Sequence, residues 1–331
     1  MGQFLGIMLL LVVLILAGIP ISYSMGITSF IYILITNVSY ISVIPNRLYE
    51  GLNQFQLLAI PFFLLAADIM VHADISGKLF RFVKLFVGRF RGGLAYVNVI
   101  VSMVFGSVSG TALGDIAALG KVEMDAMDEE GYEPNFSCAL TAASSLQSPL
   151  IPPSNIAVLY ASVMGLSVGA LFLAGLLPGV MLGLAQILYI ISVRDKKNFP
   201  ACQEKTGWKE KKSILLNGII TLGMPLIIIG GVLGGWFTAT ESANIACVYS
   251  LILGIFVYRN YHLKDFKKAL GGVAHQMANI FLIISFASVF AWIMGMERVP
   301  EQIASMLLEI SDNKYLLLFL ITKTSHTNTV C

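Results

Sequence analysis

Charge is scarce in this sequence. Lys and Arg number 21 and Asp and Glu 19 in 331 residues, 12% in all, about half the share found in an ordinary soluble domain. That scarcity excludes a water-soluble fold of this length. The net charge of +2 names no partner, and no basic cluster is interleaved with aromatics, so nucleic acid is not an expected partner. The four cysteines (Cys138, Cys202, Cys247, Cys331) form no Cys-x-x-Cys pair, and the four histidines (His72, His262, His275, His326) are as scattered. Neither a disulfide framework nor a metal centre built from these residues is supported. The first 24 residues lack the basic leader of a secretory signal and read as a spanning helix that stays in the protein. Residues 106–110 read Gly-Ser-Val-Ser-Gly; with valine at the centre this is not a hydrolase nucleophile elbow, and no enzyme is expected.

What the chain does have is apolar length. It is 57% hydrophobic with mean hydropathy +0.81, which predicts an all-α integral membrane protein. Apolar segments fall near 4–19, 21–36, 56–72, 93–108, 135–147, 155–166, 169–193, 214–236, 243–258, 274–296 and 303–321. A span needs about 20 apolar residues, and the short segments cluster between 93 and 166. Short, Gly- or Pro-interrupted segments mark re-entrant or broken helices. Basic residues crowd three loops: Lys78 to Arg91, Arg194 to Lys212 and Arg259 to Lys268. The positive-inside rule puts all three in the cytoplasm. Within the first, Ile75, Leu79, Phe82, Val83 and Phe86 recur at helical spacing. They predict an amphipathic helix, either lying on the bilayer interface or packed on other protein.

A shift of 224 residues aligns Ile60, Phe62, Ala67, Ile69 and Met70 with Ile284, Phe286, Ala291, Ile293 and Met294. The amphipathic stripe then falls on Val299, Ile303, Met306, Leu307 and Ile310, where acidic residues (Glu297, Glu301, Glu309, Asp312) replace the basic ones. Equivalent helices of opposite charge bias predict an inverted-topology repeat. The partner of Ser107 would be residue 331, and the tail "ITKTSHTNTVC" is polar where the repeat predicts apolar helix. The expectation is a second repeat that is incomplete.

Two interruptions carry chemistry. "FGSVSGTALGD", Phe105 to Asp115, predicts the tip of a helical hairpin with arms near 93–108 and 114–127. Its turn frees backbone groups, and Ser107, Ser109 and Thr111 add hydroxyl oxygens suited to a hard cation such as sodium. Packing of small residues would account for Gly106 and Gly110 but not for an intramembrane Asp115. "SSLQSPLIPPSNIAV", Ser144 to Val158, predicts one span broken in the middle, because Pro149, Pro152 and Pro153 cannot sit in a continuous helix. It frees the carbonyls of Ser148, Leu150 and Ile151, and Gln147, Ser154 and Asn155 add polar side chains.

"FGSVSGTALGDIAALG" and "LIPPSNIAVLYA" resemble the hairpin and broken-helix motifs of the large membrane subunit of tripartite ATP-independent periplasmic (TRAP) transporters. "GGWFTATESANIACVYSLILGIFVYR" resembles the start of that family's second repeat, with Ala239 where proline is usual and Glu241 kept. The resemblance runs from about residue 5 to 321. It implies an elevator-type ion-transporter fold with inverted repeats, in a multi-pass protein of the bacterial inner membrane. By position it implies sodium at Ser107, Ser109, Ser148, Leu150 and Pro153, and substrate at Ser109, Ser154 and Asn155. Asn155 stands where an apolar residue is usual. Gly106, Gly110, Asp115, Pro152 and Glu241 take structural or coupling roles.

The implied function is sodium-coupled uptake of an organic acid anion, with Na+ as the coupling ion. The implied partners are a small four-helix membrane subunit, a periplasmic substrate-binding protein and the lipid bilayer. The organisation expected is scaffold helices at 1–72, an interfacial arm at 73–92, and a transport-domain hairpin and broken helix at 93–166. A transport-domain helix and basic loop follow at 167–213, further scaffold helices at 214–296, a second arm and the start of a truncated transport half at 297–321, and a polar tail at 322–331. The alternative is a truncated or frameshifted membrane subunit that does not transport.

Overall fold

A computed structural model describes residues 2–197, 199–200 and 207–310. Contacts divide the chain into two compact units. One holds the residues up to Asn53 together with those from Ala278, and the other runs from Gln54 to Met277. These boundaries fall inside the scaffold stretches 1–72 and 214–296 expected from the sequence.

The terminal unit begins with α1 (Gly2–Leu16), α2 (Ile21–Thr36) and α3 (Val43–Leu52). Hydropathy does not mark α3, a ten-residue helix carrying Asn46, Arg47 and Glu50. A 3-10 turn leads into it, started by Asn37, whose Oδ1 accepts from the Ser39 amide at 3.0 Å. Ile7, Tyr32, Ile33, Val289 and Ile293 form the buried centre of this unit, and Tyr40 sets its ring edge-on to Trp292.

The larger unit contains α4 (Ala59–His72), α5 (Ile75–Val87), α6 (Gly93–Ser109), the single turn α7 (Ala112–Asp115), α8 (Lys121–Glu129) and α9 (Pro134–Ser145). It continues through α10 (Asn155–Met164), α11 (Val168–Val193), α12 (Trp208–Leu233) and α13 (Ala239–Ile252). α14 (Leu263–Met296) starts in this unit, eleven residues before the apolar run at 274, because its first turns are helical but polar. His262 starts it, its amide donating to Asp265 Oδ2 at 3.0 Å. α15 (Val299–Ile310) follows α14, and the expected polar tail lies outside the described residues.

Among the described residues five helices are long and apolar enough to cross a membrane, or six if the bent pair of α6 with α7–α8 counts as one span. α11 and α12, 26 residues each, are about 39 Å long at 1.5 Å per residue, more than the roughly 30 Å of hydrocarbon.

Over 75–87 the expected amphipathic helix forms as α5, with one apolar face against neighbouring helices. Ile75, Leu79, Phe80 and Val83 of α5 are buried, and the helix packs on α6 and α12. A Cβ on Gly218 of α12 would stand 1.9 Å from the Phe82 ring, so glycine is what lets the two helices meet. The first basic stretch reaches towards the other two. Arg91 pairs with Asp195 at 3.2 Å and donates to the Phe199 carbonyl at 3.2 Å. Lys78 sits 4.1 Å from the centre of the Tyr258 ring.

The 224-residue shift reappears in the backbone. α4 and α14 end at His72 and Met296, and α5 and α15 start at Ile75 and Val299. The connections contain Asp74 (φ 54°) and Arg298 (φ 52°), two of the three left-handed non-glycine residues among those described. An L-residue there costs about 1–2 kcal/mol, so two such turns at one spacing mark a shared motif rather than a coincidence of apolar composition.

Candidate functional site

The hairpin forms because α6 meets Gly110, whose φ of 63° turns the chain out of the helix. Thr111 then restarts it, its Oγ1 accepting from the Gly114 amide at 3.1 Å. The second arm passes through a π-turn at Ile116–Gly120 before α8 and lies at 120° to the first. It runs from Ala112 to Glu129, a little longer at both ends than the apolar pattern indicates.

The second break covers Leu146 to Ser154. Tight turns replace the helix, with Ser148 N donating to Ser145 O at 3.0 Å and Leu150 N to Gln147 O at 3.0 Å. A cis bond joins Pro152 to Pro153. Ser154 then caps α10 by accepting from the Ala157 amide at 3.2 Å.

The two breaks pack against each other. Asn155 Nδ2 donates to the Ser109 carbonyl at 3.1 Å. A Cβ on Gly106 would stand 2.3 Å from Ser148 Oγ and 2.7 Å from its Cα, and one on Gly110 would stand 2.8 Å from the Asn155 amide nitrogen. Glycine at 106 and 110 is therefore required by close approach of the facing backbone. Ser107, Ser109, Ser148, Ser154, Asn155 and Asp115 are all buried. Ser107 Oγ donates to the Val104 carbonyl at 2.5 Å and Ser109 Oγ to the Thr111 carbonyl at 3.2 Å. Each hydroxyl proton is thus turned away, and the oxygen lone pairs remain to accept or to coordinate. Ser148 Oγ and Asn155 Oδ1 are buried without a hydrogen-bond partner.

Not every residue named from the sequence meets this cluster. The Leu150 carbonyl packs on Gly175 of α11, 2.6 Å from where a Cβ would stand there. The Ser154 hydroxyl oxygen is engaged as a helix cap. Glu241 is exposed at the start of α13 and forms a capping box with Thr238: its Oε2 accepts from the Thr238 amide at 2.8 Å, and Thr238 Oγ1 accepts from the Glu241 amide at 3.2 Å. Pro152 lies within the second break, beside its cis bond.

Sequence reasoning missed the polar ladder beneath the tip. Asn98 Nδ2 donates to Thr141 Oγ1 at 2.7 Å and to Glu123 Oε2 at 2.8 Å. Ser144 Oγ donates to Asn98 Oδ1 at 2.7 Å, and Ser102 Oγ reaches Ser144 Oγ at 3.2 Å. The available signal was spacing: Asn98 and Ser102 are four apart on α6, and Thr141 and Ser144 three apart on α9, each pair on one face. Gln147 is tied outward, donating to Gln186 Oε1 at 2.6 Å, while Gln186 holds the Ala143 carbonyl at 2.8 Å.

Five helices long and apolar enough to cross a membrane, with a sharply bent helix pair and an interrupted helix whose polar atoms are buried together, are the features of a helical membrane transport protein. Comparison with known proteins agrees. Residues 8–325 match the family described as tripartite ATP-independent periplasmic transporter, DctM component. The chain is 36% identical over 308 residues to the sialic acid TRAP transporter large permease protein SiaM of Vibrio cholerae, a match covering 93% of this chain and 72% of that one. It is 30% identical over 314 residues to the sialic acid TRAP transporter permease protein SiaT of Haemophilus influenzae, covering 95% and 51%. It is 33% identical over 298 residues to the C4-dicarboxylate TRAP transporter large permease protein DctM of Pseudomonas aeruginosa, covering 90% and 70%. The chain belongs to the DctM family of TRAP transporter large permeases. It is a multi-pass inner-membrane protein and not an enzyme.

Proposed function

We propose that this chain takes up an organic acid anion as the large permease subunit of a TRAP transporter, and that the paired breaks bind a sodium ion that drives uptake. Family membership and relatives named for sialic acid and C4-dicarboxylates support the substrate class. A periplasmic binding protein delivers the anion, and a small membrane subunit stands beside the permease. The observation that carries the sodium reading is the contact between the breaks, where Asn155 holds the Ser109 carbonyl at 3.1 Å. A cation there takes oxygens from Ser107, Ser109 and the Ser148–Pro153 turn, and so ties the hairpin to the broken helix. The anion then meets an ordered tip at Ser109, Ser154 and Asn155, so each ligand raises the other's affinity.

The test is thermal melting of the purified chain in detergent, in NaCl and in choline chloride at equal ionic strength. A ligand that binds only the folded state stabilises it by RT ln(1 + [L]/Kd), about 2.7 kcal/mol at a hundredfold excess over Kd. Sodium should raise the melting temperature of the parent and not of Ser109→Ala. Equal melting in the two salts, or a sodium shift that survives in both Ser107→Ala and Ser109→Ala, would refute the site.

A further inference from the structure

Glu123 is the anomaly in α8. Its charged neighbours on that helix, Lys121, Asp125, Asp128 and Glu129, are exposed, yet Glu123 is 1% exposed. Oε2 accepts from Asn98, while Oε1 is buried with no partner. The elements packed most closely on α8 are α6, α9 and the π-turn 116–120, while Lys84 of α5 pairs with Glu130 at the helix's far end. None of those three closest elements contains a lysine, arginine or histidine, nor does α7. The other titratable groups on these segments are Tyr96, Asp115 and Cys138, of which Cys138 is exposed. Among the described residues Glu123 has no ion pair. A buried carboxylate with no cation beside it and one bare oxygen is strongly disfavoured.

The ladder above it has two complete settings. With Glu123 ionised, donors run from Ser102 to Ser144, from Ser144 to Asn98 Oδ1, and from Asn98 Nδ2 to Glu123 and Thr141. A carboxamide turned end for end keeps its shape. Glu123, having taken one proton from solvent water, then donates its O–H to Asn98 Oδ1, as does the Thr141 hydroxyl. Asn98 Nδ2 donates to Ser144 Oγ, and the Ser144 hydroxyl donates to the Thr141 carbonyl, 3.1 Å away. Only the Asn98 carboxamide turns over; the other side chains keep their positions. Ser102, at the far end of the row, stands one helical turn before Gly106.

We propose that Glu123 is a proton-binding site at the stem of the hairpin, and that its proton reverses the hydrogen bonds of Asn98 with Thr141 and Ser144. The ligand is a single proton, and the site is separate from the oxygens assigned to sodium.

Infrared spectroscopy of the purified chain in detergent, in H2O and D2O across its folded pH range, tests this. The parent should show a protonated-carboxyl carbonyl stretch at neutral pH that shifts in D2O. Glu123→Gln, which mimics the neutral acid, should lose that band, and Asp115→Asn should keep it. Parent and Glu123→Gln should melt alike at acid pH and diverge as pH rises, the parent losing stability. Absence of the band from the parent at every folded pH would overturn the proposal with no variant needed. So would its persistence in Glu123→Gln, or an identical pH dependence of melting in the two proteins.

Discussion

The hairpin tip and the broken helix solve one problem in two ways. Both must stop a helix, turn the chain and start another. The hairpin does so in two residues, Gly110 and Thr111, by a left-handed glycine. The broken helix takes nine, Leu146 to Ser154, with three prolines and a run of tight turns. The restart is the same in both: a hydroxyl accepts from the amide three residues on, at 3.1 Å from Thr111 and 3.2 Å from Ser154. The stop is therefore what differs, and it differs because of what faces it. Gly110 lies against the Asn155 backbone, where neither a side chain nor a proline ring fits.

The largest effect should come from Gly110→Ala. It puts an L-residue at φ 63° and a methyl 2.8 Å from a backbone nitrogen. The left-handed cost and the overpacking together amount to roughly 2–5 kcal/mol. Gly106→Ala meets Ser148 but keeps an ordinary helical backbone, so it should cost about 1–3 kcal/mol. Thermal melting of the purified variants checks the order. If Gly106→Ala proves the more damaging, steric approach rather than backbone conformation holds the tip.

The caps come next. Thr111→Ala and Ser154→Ala should each cost about 1 kcal/mol, and equally, since the geometry matches. An unequal pair would show that one break is also held closed by its surroundings. Asn155, whose side chain bridges the breaks, would be the first suspect.

How much of this the sequence disclosed follows from the range of each signal. The hairpin and the broken helix were legible because Gly110 and the prolines act on their own backbone, within a residue or two. The apolar helices were legible because burial in lipid requires long runs. α3 was not, because ten residues with Arg47 and Glu50 carry no such run. The ladder of Asn98, Ser102, Thr141 and Ser144 was not, since each is one polar residue in an apolar stretch and acquires meaning only across two helices. The matching turns at Asp74 and Arg298 were hidden too: aspartate visits a left-handed backbone only occasionally, though more than most side chains do, and arginine gives no hint of one. The 224-residue shift nevertheless pointed to them through the apolar positions on either side. For Glu241 the signal was present and local: Thr-Ala-Thr-Glu ahead of an apolar run reads as a capping box, which the structure contains.

The smallest effect separates the two breaks at their stems. Glu133 leads into α9 and pairs with Lys197 at 2.8 Å, both side chains well exposed at 54% and 41%. The hydrogen bond and charge of Lys197 hold the Glu133 carboxyl below the usual carboxylate range. A depressed folded value means that the unfolded chain binds more protons in the interval between the two. The contribution is therefore present above the unfolded value of about 4.3 and is lost as pH falls through the folded one. Lys197→Gln should melt slightly below the parent at neutral pH and converge with it in acid. The hairpin's counterpart, Lys84 with Glu130 at 3.4 Å, is more sheltered, at 22% and 17% exposure. Salt screens exposed pairs first, so raising ionic strength should erase the Lys197→Gln difference before that of Lys84→Gln. If both differences fade together, the two stems are equally open to solvent and the contrast between the breaks is confined to their tips.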